Sequence, residues 1–152
     1  MITKSTPNLE YVLVLPKDID TYLQLDQLFA RPPWYALTTD RAKALREILR
    51  DKLFFVLEDS VPVGLAAYRI GPNNEAMLHR IAVISSRRRN GIGRAATKFL
   101  LEIVKDCPRI CLIVHQNNPA KDLYKSLGFE IEKADPDYFG DGEPRFLMVY
   151  RK

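Results

Sequence analysis

The spacing of apolar and polar positions changes several times along the chain, and each change marks a predicted element. Tyr11–Leu15 is a short Val/Leu run closed by Pro16 and predicts a first strand. Asp18 then stands as N-cap of a helix over Ile19–Phe29, with Ile19, Tyr22, Leu23 and Leu28 near helical spacing. Pro32 and Pro33 break that helix, and a second one is predicted from Thr39 or Asp40 to Asp51, rich in Ala, Leu and Arg. Leu53–Glu58 and Val63–Ile70 read as a hairpin about the turn Asp59–Pro62, and Ala76–Ile84 as the next strand of an antiparallel meander. After Gly91, Ile92, Ala95, Ala96, Phe99, Leu100, Ile103 and Val104 fall on one stripe of a long helix. Arg109–His115 predicts a strand, and Pro119–Leu127 a helix with proline in its first turn and Gly128 just past its end. Phe129–Lys133 and Arg145–Arg151 predict a closing strand pair around the polar turn Phe139–Gly142.

The predicted order is β-α-α-β-β-β-α-β-α-β-β. This is a mixed α/β (α+β) sheet with mostly antiparallel neighbours, and the long helix carries one parallel crossover. A chain of 152 residues, 47% of them apolar, suffices for one domain over 1–152. Met1–Glu10 lacks the features of a secretory signal and no run approaches about 18 apolar residues, so a soluble, cytoplasmic protein is expected. Cys107 and Cys111 match neither a redox pair nor a zinc spacing and are expected to be buried small hydrophobes. Two histidines, His79 and His115, do not by themselves make a metal site, and no metal is implied.

The formal charge of +4 changes the picture only through its distribution, because Arg87, Arg88, Arg89 and Arg94 crowd into one stretch. A compact cluster suits a phosphate-bearing ligand, whereas nucleic acid calls for basic residues spread along a face. The cluster lies in Val83-Ile-Ser-Ser-Arg-Arg-Arg-Asn-Gly-Ile-Gly-Arg-Ala-Ala96: a strand, a basic loop, then two glycines opening a helix. Glycine lets a ligand approach the backbone, and the first-turn N–H groups of a helix have no internal partner, so the segment predicts an anion site suited to a pyrophosphate. Gly91-x-Gly93-x-x-Ala96 formally fits the dinucleotide fingerprint. The acidic residue that fingerprint needs about 20 positions on is absent, since His115 and Gln116 stand there. The Gly-Lys-Ser/Thr of a P-loop is absent as well.

Arg88-Arg-Asn-Gly91-Ile-Gly93 resembles the Arg/Gln-x-x-Gly-x-Gly/Ala signature of the GNAT superfamily, the GCN5-related N-acetyltransferases. The resemblance extends through Asn117-Asn-Pro-Ala120-Lys-Asp-Leu123-Tyr124 and Gly128-Phe129, and so covers about Leu78 to Phe129. It implies the GNAT fold, acetyl-CoA as co-substrate, and acetyl transfer to a primary amine by direct attack in a ternary complex. Many relatives form homodimers. In such an enzyme Arg88, Arg89, Asn90, Gly91, Ile92, Gly93 and Arg94 hold the CoA pyrophosphate. Ala82 and Val83 close the preceding strand, Val83 offering its N–H to the thioester carbonyl, while Asn117 and Ala120 line the pantetheine arm in a splay of the sheet. Tyr124 resembles the family's general acid, and it also completes an apolar helix stripe; both roles are compatible.

The acceptor amine must lose a proton before attack. Met77 and Leu112 stand where relatives place a base and cannot serve as one. His79, on the same strand face as Met77 by alternation and with Glu75 just before, is the first candidate, because its reference pKa suits proton removal near neutrality. A water chain to a backbone carbonyl is the alternative. By resemblance the acceptor pocket is built from the loop with Trp34 and the loop Asp137–Glu143. The second loop is similar to that of ribosomal-protein N-terminal acetyltransferases, which would place Tyr138 on a peptide groove. A protein N-terminus or lysine is therefore the expected acceptor. A small amine such as a polyamine, aminoglycoside or amino-acid-like metabolite, or a non-catalytic acyl-CoA sensor, stays open.

Overall fold

A computed structural model describes residues 8–29, 40–88 and 90–151. Trp34 and Arg89 lie outside the described residues. Seven strands, β1 (Leu9–Leu13), β2 (Lys52–Glu58), β3 (Val61–Ile70), β4 (Glu75–Val83), β5 (Arg109–His115), β6 (Phe129–Asp135) and β7 (Arg145–Tyr150), form one sheet. Their spatial order is β1-β2-β3-β4-β5-β7-β6. Among the described residues only β4 and β5 pair parallel, the one parallel crossover that the sequence predicts.

Among the described residues four α-helices cover the two faces: α1 (Ile19–Phe29), α2 (Arg41–Arg50), α3 (Ile92–Ile103) and α4 (Ala120–Leu127). Ile92, Ala96, Leu100 and Val104 of the α3 stripe join Leu78, Leu112, Val114, Tyr124 and Met148 in one core. On the opposite face Tyr22, Leu25 and Phe29 of α1 and Ala44 and Ile48 of α2 pack on Leu53, Phe55, Leu65 and Ala82. Asp40 caps α2, its carboxylate accepting the Ala42 N–H at 2.9 Å. The Asp18 carboxylate instead turns back to accept the Leu15 N–H at 2.9 Å in a short turn before α1.

Some expectations need correction. The first hairpin turns on two residues, Asp59 and Ser60, both at positive φ (50° and 67°), so Val61 and Pro62 belong to β3. Pro62 is tolerated inside the sheet because the β2–β3 register shifts there: Leu57 pairs with Pro62, Val56 with Gly64, and Val63 is the extra residue. Ile103, the last residue of α3, is exposed rather than core. Cys111 is buried as expected, but Cys107 only partly.

Gly128 ends α4 at φ 110°, and a Cβ there would lie 3.1 Å from the Tyr150 ring and 3.2 Å from the Arg151 carbonyl oxygen. Gly128→Ala is therefore expected to lower stability by about 1–3 kcal/mol, measured by urea unfolding. An unchanged midpoint would show that the β7 end yields freely.

Candidate functional site

The parallel pairing of β4 and β5 runs only from Glu75–Arg109 to Leu78–Leu112. Beyond Leu78 the two strands share no register, and the sheet forks. A cavity of about 510 Å³ opens at this fork, with His79, Arg80 and Ile81 on one side and Ile113, Val114 and His115 on the other. Tyr124 from α4 and Tyr138 and Phe139 from the β6–β7 loop complete the walls, together with Lys43, Glu47 and Arg50 of α2 and Arg69 of β3.

Two backbone features equip the fork. Ile84 N–H donates to the Val63 carbonyl at 2.9 Å, so strand alternation turns the N–H and C=O of Val83 away from β3, toward the open side. The Val83 carbonyl there accepts a bond from Arg88 Nε at 3.1 Å. The second feature is a bulge in β4. Ala67 pairs with Arg80 and Tyr68 with Leu78, leaving His79 as the extra residue. The bulge reverses the alternation, so that Ala76 and Leu78 face the α3 core whereas Ala82 faces the α1–α2 core.

The described residues of the basic loop make contacts of their own. Arg87 is held by a bidentate pair to Glu58, at 2.6 Å for each bond, which leaves its guanidinium engaged away from α3. Asn90 Nδ2 donates to the carbonyls of Arg87 (3.3 Å) and Arg88 (2.9 Å), consuming acceptors inside the loop. Gly91 then stands as N-cap of α3 at φ 77° and, having no side chain, supplies no cap hydrogen bond to the first-turn amides. A Cβ on Gly93 would lie 3.7 Å from Leu123 and 4.0 Å from Val83, in the crease where α3, α4 and the end of β4 meet. Ile92 is buried in the core, and Arg94 Nη1 donates to Ser126 Oγ at 3.0 Å, tying α3 to α4. A helix start opened by glycine in the crease suits a phosphate-bearing ligand.

Tyr124 is 6% exposed, its ring edge-on to Phe129 at 6.0 Å, and it lines the cavity. The structure therefore brings His79, Tyr124 and Tyr138 to one cavity. Asn117 and Ala120 stand apart from it, at the start of α4. Asn117 is exposed and its N–H donates to His115 Nδ1 at 3.0 Å, while the neighbouring Asn118 is buried and accepts the Ala120 N–H at 3.0 Å.

Sequence reasoning missed the charge network behind His79. Asp51 closes α2 with a side chain only 1% exposed, bonded to Arg50 Nε and Nη2 at 2.9 and 3.0 Å. Oδ2, the oxygen that accepts from Arg50 Nη2, lies 3.7 Å from His79 Nε2, and Arg50 Nη2 lies 3.3 Å from the same nitrogen. Arginine can only donate, so Nε2 is the acceptor and the neutral ring carries its proton on Nδ1. Burial pushes the His79 pKa down; Asp51 opposes this, and Arg50 and Arg69 reinforce it. A second cluster deeper in joins Arg80 to Asp26 and, at 3.5 Å, to Glu47, which also accepts the Tyr22 hydroxyl at 2.5 Å. Only an apolar period or a local cap announces itself in sequence, whereas Asp51 reads there as a helix end.

The model described as the Acetyltransferase (GNAT) family matches residues 19–129. An N-alpha-acetyltransferase of Sulfurisphaera tokodaii is 39% identical over 73 residues, covering 45% of this chain and 44% of that protein. The matches span between 44% and 62% of the length of the curated relatives. Among solved structures, the ribosomal-protein-S18-alanine N-acetyltransferase from Escherichia coli superposes with a TM-score of 0.77 at 21% identity, over 93% of this chain and 92% of that one. The PaiA N-acetyltransferase from Thermoplasma acidophilum, in complex with coenzyme A, gives 0.76 at 19% identity over 95% and 99%. No helix among the described residues is long and apolar enough to cross a membrane.

Proposed function

Since the chain belongs to the acetyltransferase (GNAT) family, we propose that it is an acetyl-CoA-dependent N-acetyltransferase acting on a primary amine, with a protein N-terminus as the acceptor. The observation that carries this reading is the fork between β4 and β5, where a cavity gathers His79 and Tyr124 below a β4 end whose Val83 N–H faces the opening. Tyr138 on the cavity wall supports a peptide acceptor, as does the likeness to an N-alpha-acetyltransferase.

When bound, acetyl-CoA supplies the acyl group as an activated thioester. The α3 amides and the residues Arg88 to Arg94 would hold its pyrophosphate, and Asn117 and Ala120 would line its pantetheine arm. The Val83 N–H is an oxyanion donor that needs no rearrangement, the kind of group whose loss costs about 10²–10³ in rate. His79 accepts the amine's proton at Nε2. As the proton arrives Arg50 gives up that nitrogen, and Asp51 becomes the partner of the imidazolium. Tyr124 gives a proton to the departing thiolate. Incubation with acetyl-CoA and a peptide amine should release free thiol and add one acetyl group to the peptide. Binding of acetyl-CoA without transfer to any amine would reduce the protein to a sensor, and no binding would remove the reading.

The base assignment makes a signed prediction. A base works deprotonated, so activity rises with pH through its pKa, and burial sets that limb below the ordinary histidine value. Asp51→Asn removes a carboxylate that raises this pKa and should move the acid limb of kcat/KM to lower pH. Arg50→Gln removes a cation that lowers it and should move the limb to higher pH. Shifts in the same direction, or none, would take the base role from His79.

A further inference from the structure

We propose that the acceptor carries a carboxylate on the same residue as its reactive amine, held by the wall that α2 and β3 present to the cavity. The inference rests on the acetyltransferase reading and concerns which amine enters. On this wall the carboxylates face inward and the cations outward. Glu47 accepts the Tyr22 hydroxyl and pairs with Arg80. Asp51, 1% exposed, is shared by Arg50, Arg69 and His79. Arg50 and Arg69 remain 46% and 37% exposed, and Lys43 is exposed one helical turn before Glu47. Lys43, Arg50 and Arg69 thus border the cavity with Glu47, whose carboxylate is taken by Tyr22 and Arg80. Asp51 behind them offsets part of the charge of Arg50 and Arg69, and Lys43 makes no ion pair among the described residues.

The opposite wall does not offset them. Asp141 is bonded to Arg145 at 3.1 and 3.2 Å, and Glu143 lies 3.8 Å from His115 at the far end. Arg50 and Arg69 reach the same carboxylate as His79, so an anion on them sits within two ion-pair spans of the proposed base, on the order of 8 Å. That range fits a carboxylate about 3–5 Å from an amine, the separation within a single amino-acid residue. Two sources share this chemistry: the α-carboxylate of a free amino acid and the side chain of an acidic first residue of a peptide. A polyamine would instead bring like charges against all three cations.

The test is acetyl transfer by the full chain across matched acceptors: peptides beginning with Glu or with Gln, free glutamate against its α-amide, and spermidine. At least one acidic member should exceed its neutral match in kcat/KM by roughly tenfold. Preference for the Glu peptide assigns a side-chain carboxylate, and preference for the free acid assigns the α-carboxylate. Lys43→Glu, on an exposed helix position, and Arg69→Gln should each shrink that preference by raising the acceptor KM. Equal use of acidic and neutral members, better use of spermidine, or a preference untouched by both substitutions would overturn the proposal while leaving the enzyme reading in place. No transfer to any member would end both.

Discussion

Gly91→Glu is expected to weaken acetyl-CoA binding at least a hundredfold, measured by calorimetric titration of the purified protein. Three effects act together. Gly91 holds φ 77°, where a side chain costs about 1–3 kcal/mol of backbone strain. Its new carboxylate would lie beside the uncapped amides of α3 and accept from them, competing with the pyrophosphate for the same donors. It would also place negative charge against an anionic ligand. Gly140→Glu separates strain from chemistry. That glycine has φ 76° and open space around its Cβ, but it lies in the β6–β7 loop, away from any helix start. Wild-type affinity in Gly140→Glu with loss in Gly91→Glu places the phosphate at α3. Micromolar binding by Gly91→Glu would mean that the basic loop holds no phosphate.

Tyr124→Phe is expected to lower kcat by about 10²-fold while leaving acetyl-CoA affinity within a factor of about three. The substitution keeps the ring, and with it the edge-on packing against Phe129 and the contacts of a residue 6% exposed. What it removes is the hydroxyl, so stability should change by about 1 kcal/mol, the scale of one hydrogen bond. The split between rate and stability is the informative part. Loss of folding without a specific loss of kcat would return Tyr124 to the core alone, and a fall in kcat smaller than threefold would give the leaving-group proton to another donor.

Much of this architecture was legible because its signals are local. The boundaries of β5 follow from an unbroken apolar run, and α1 starts at Ile19 as read although the Asp18 carboxylate serves the turn before it rather than the helix. The start of α3 follows from a glycine that only a turn or cap requires. The glycine loop and Tyr124 carried the resemblance, so the ligand class came with them. Long-range features were not legible. The place of β7 between β5 and β6 depends on register, which no window of sequence contains. The bulge at His79 is a mismatch between two strands and belongs to neither alone. Pro62 misled in the same way, since a proline excluded from most central strands is allowed where a bulge interrupts the ladder. Asp51 joins His79 across 28 residues, and its chemistry appears only once α2 and β4 are packed.

The insertion of β7 also sets the order in which the molecule can be completed. β6 is synthesised first, yet its one neighbour among the described strands is β7, made after the loop that contains Tyr138. Until β7 arrives, β5 has an open edge on the side where Cys111 to His115 will pair, and β6 has nothing to bond to. One half of the fork is therefore left unsupported until late in synthesis. Refolding should show β1–β4 protecting their amides from hydrogen exchange before β5 and β6 do, with both of those acquiring protection together when β7 docks.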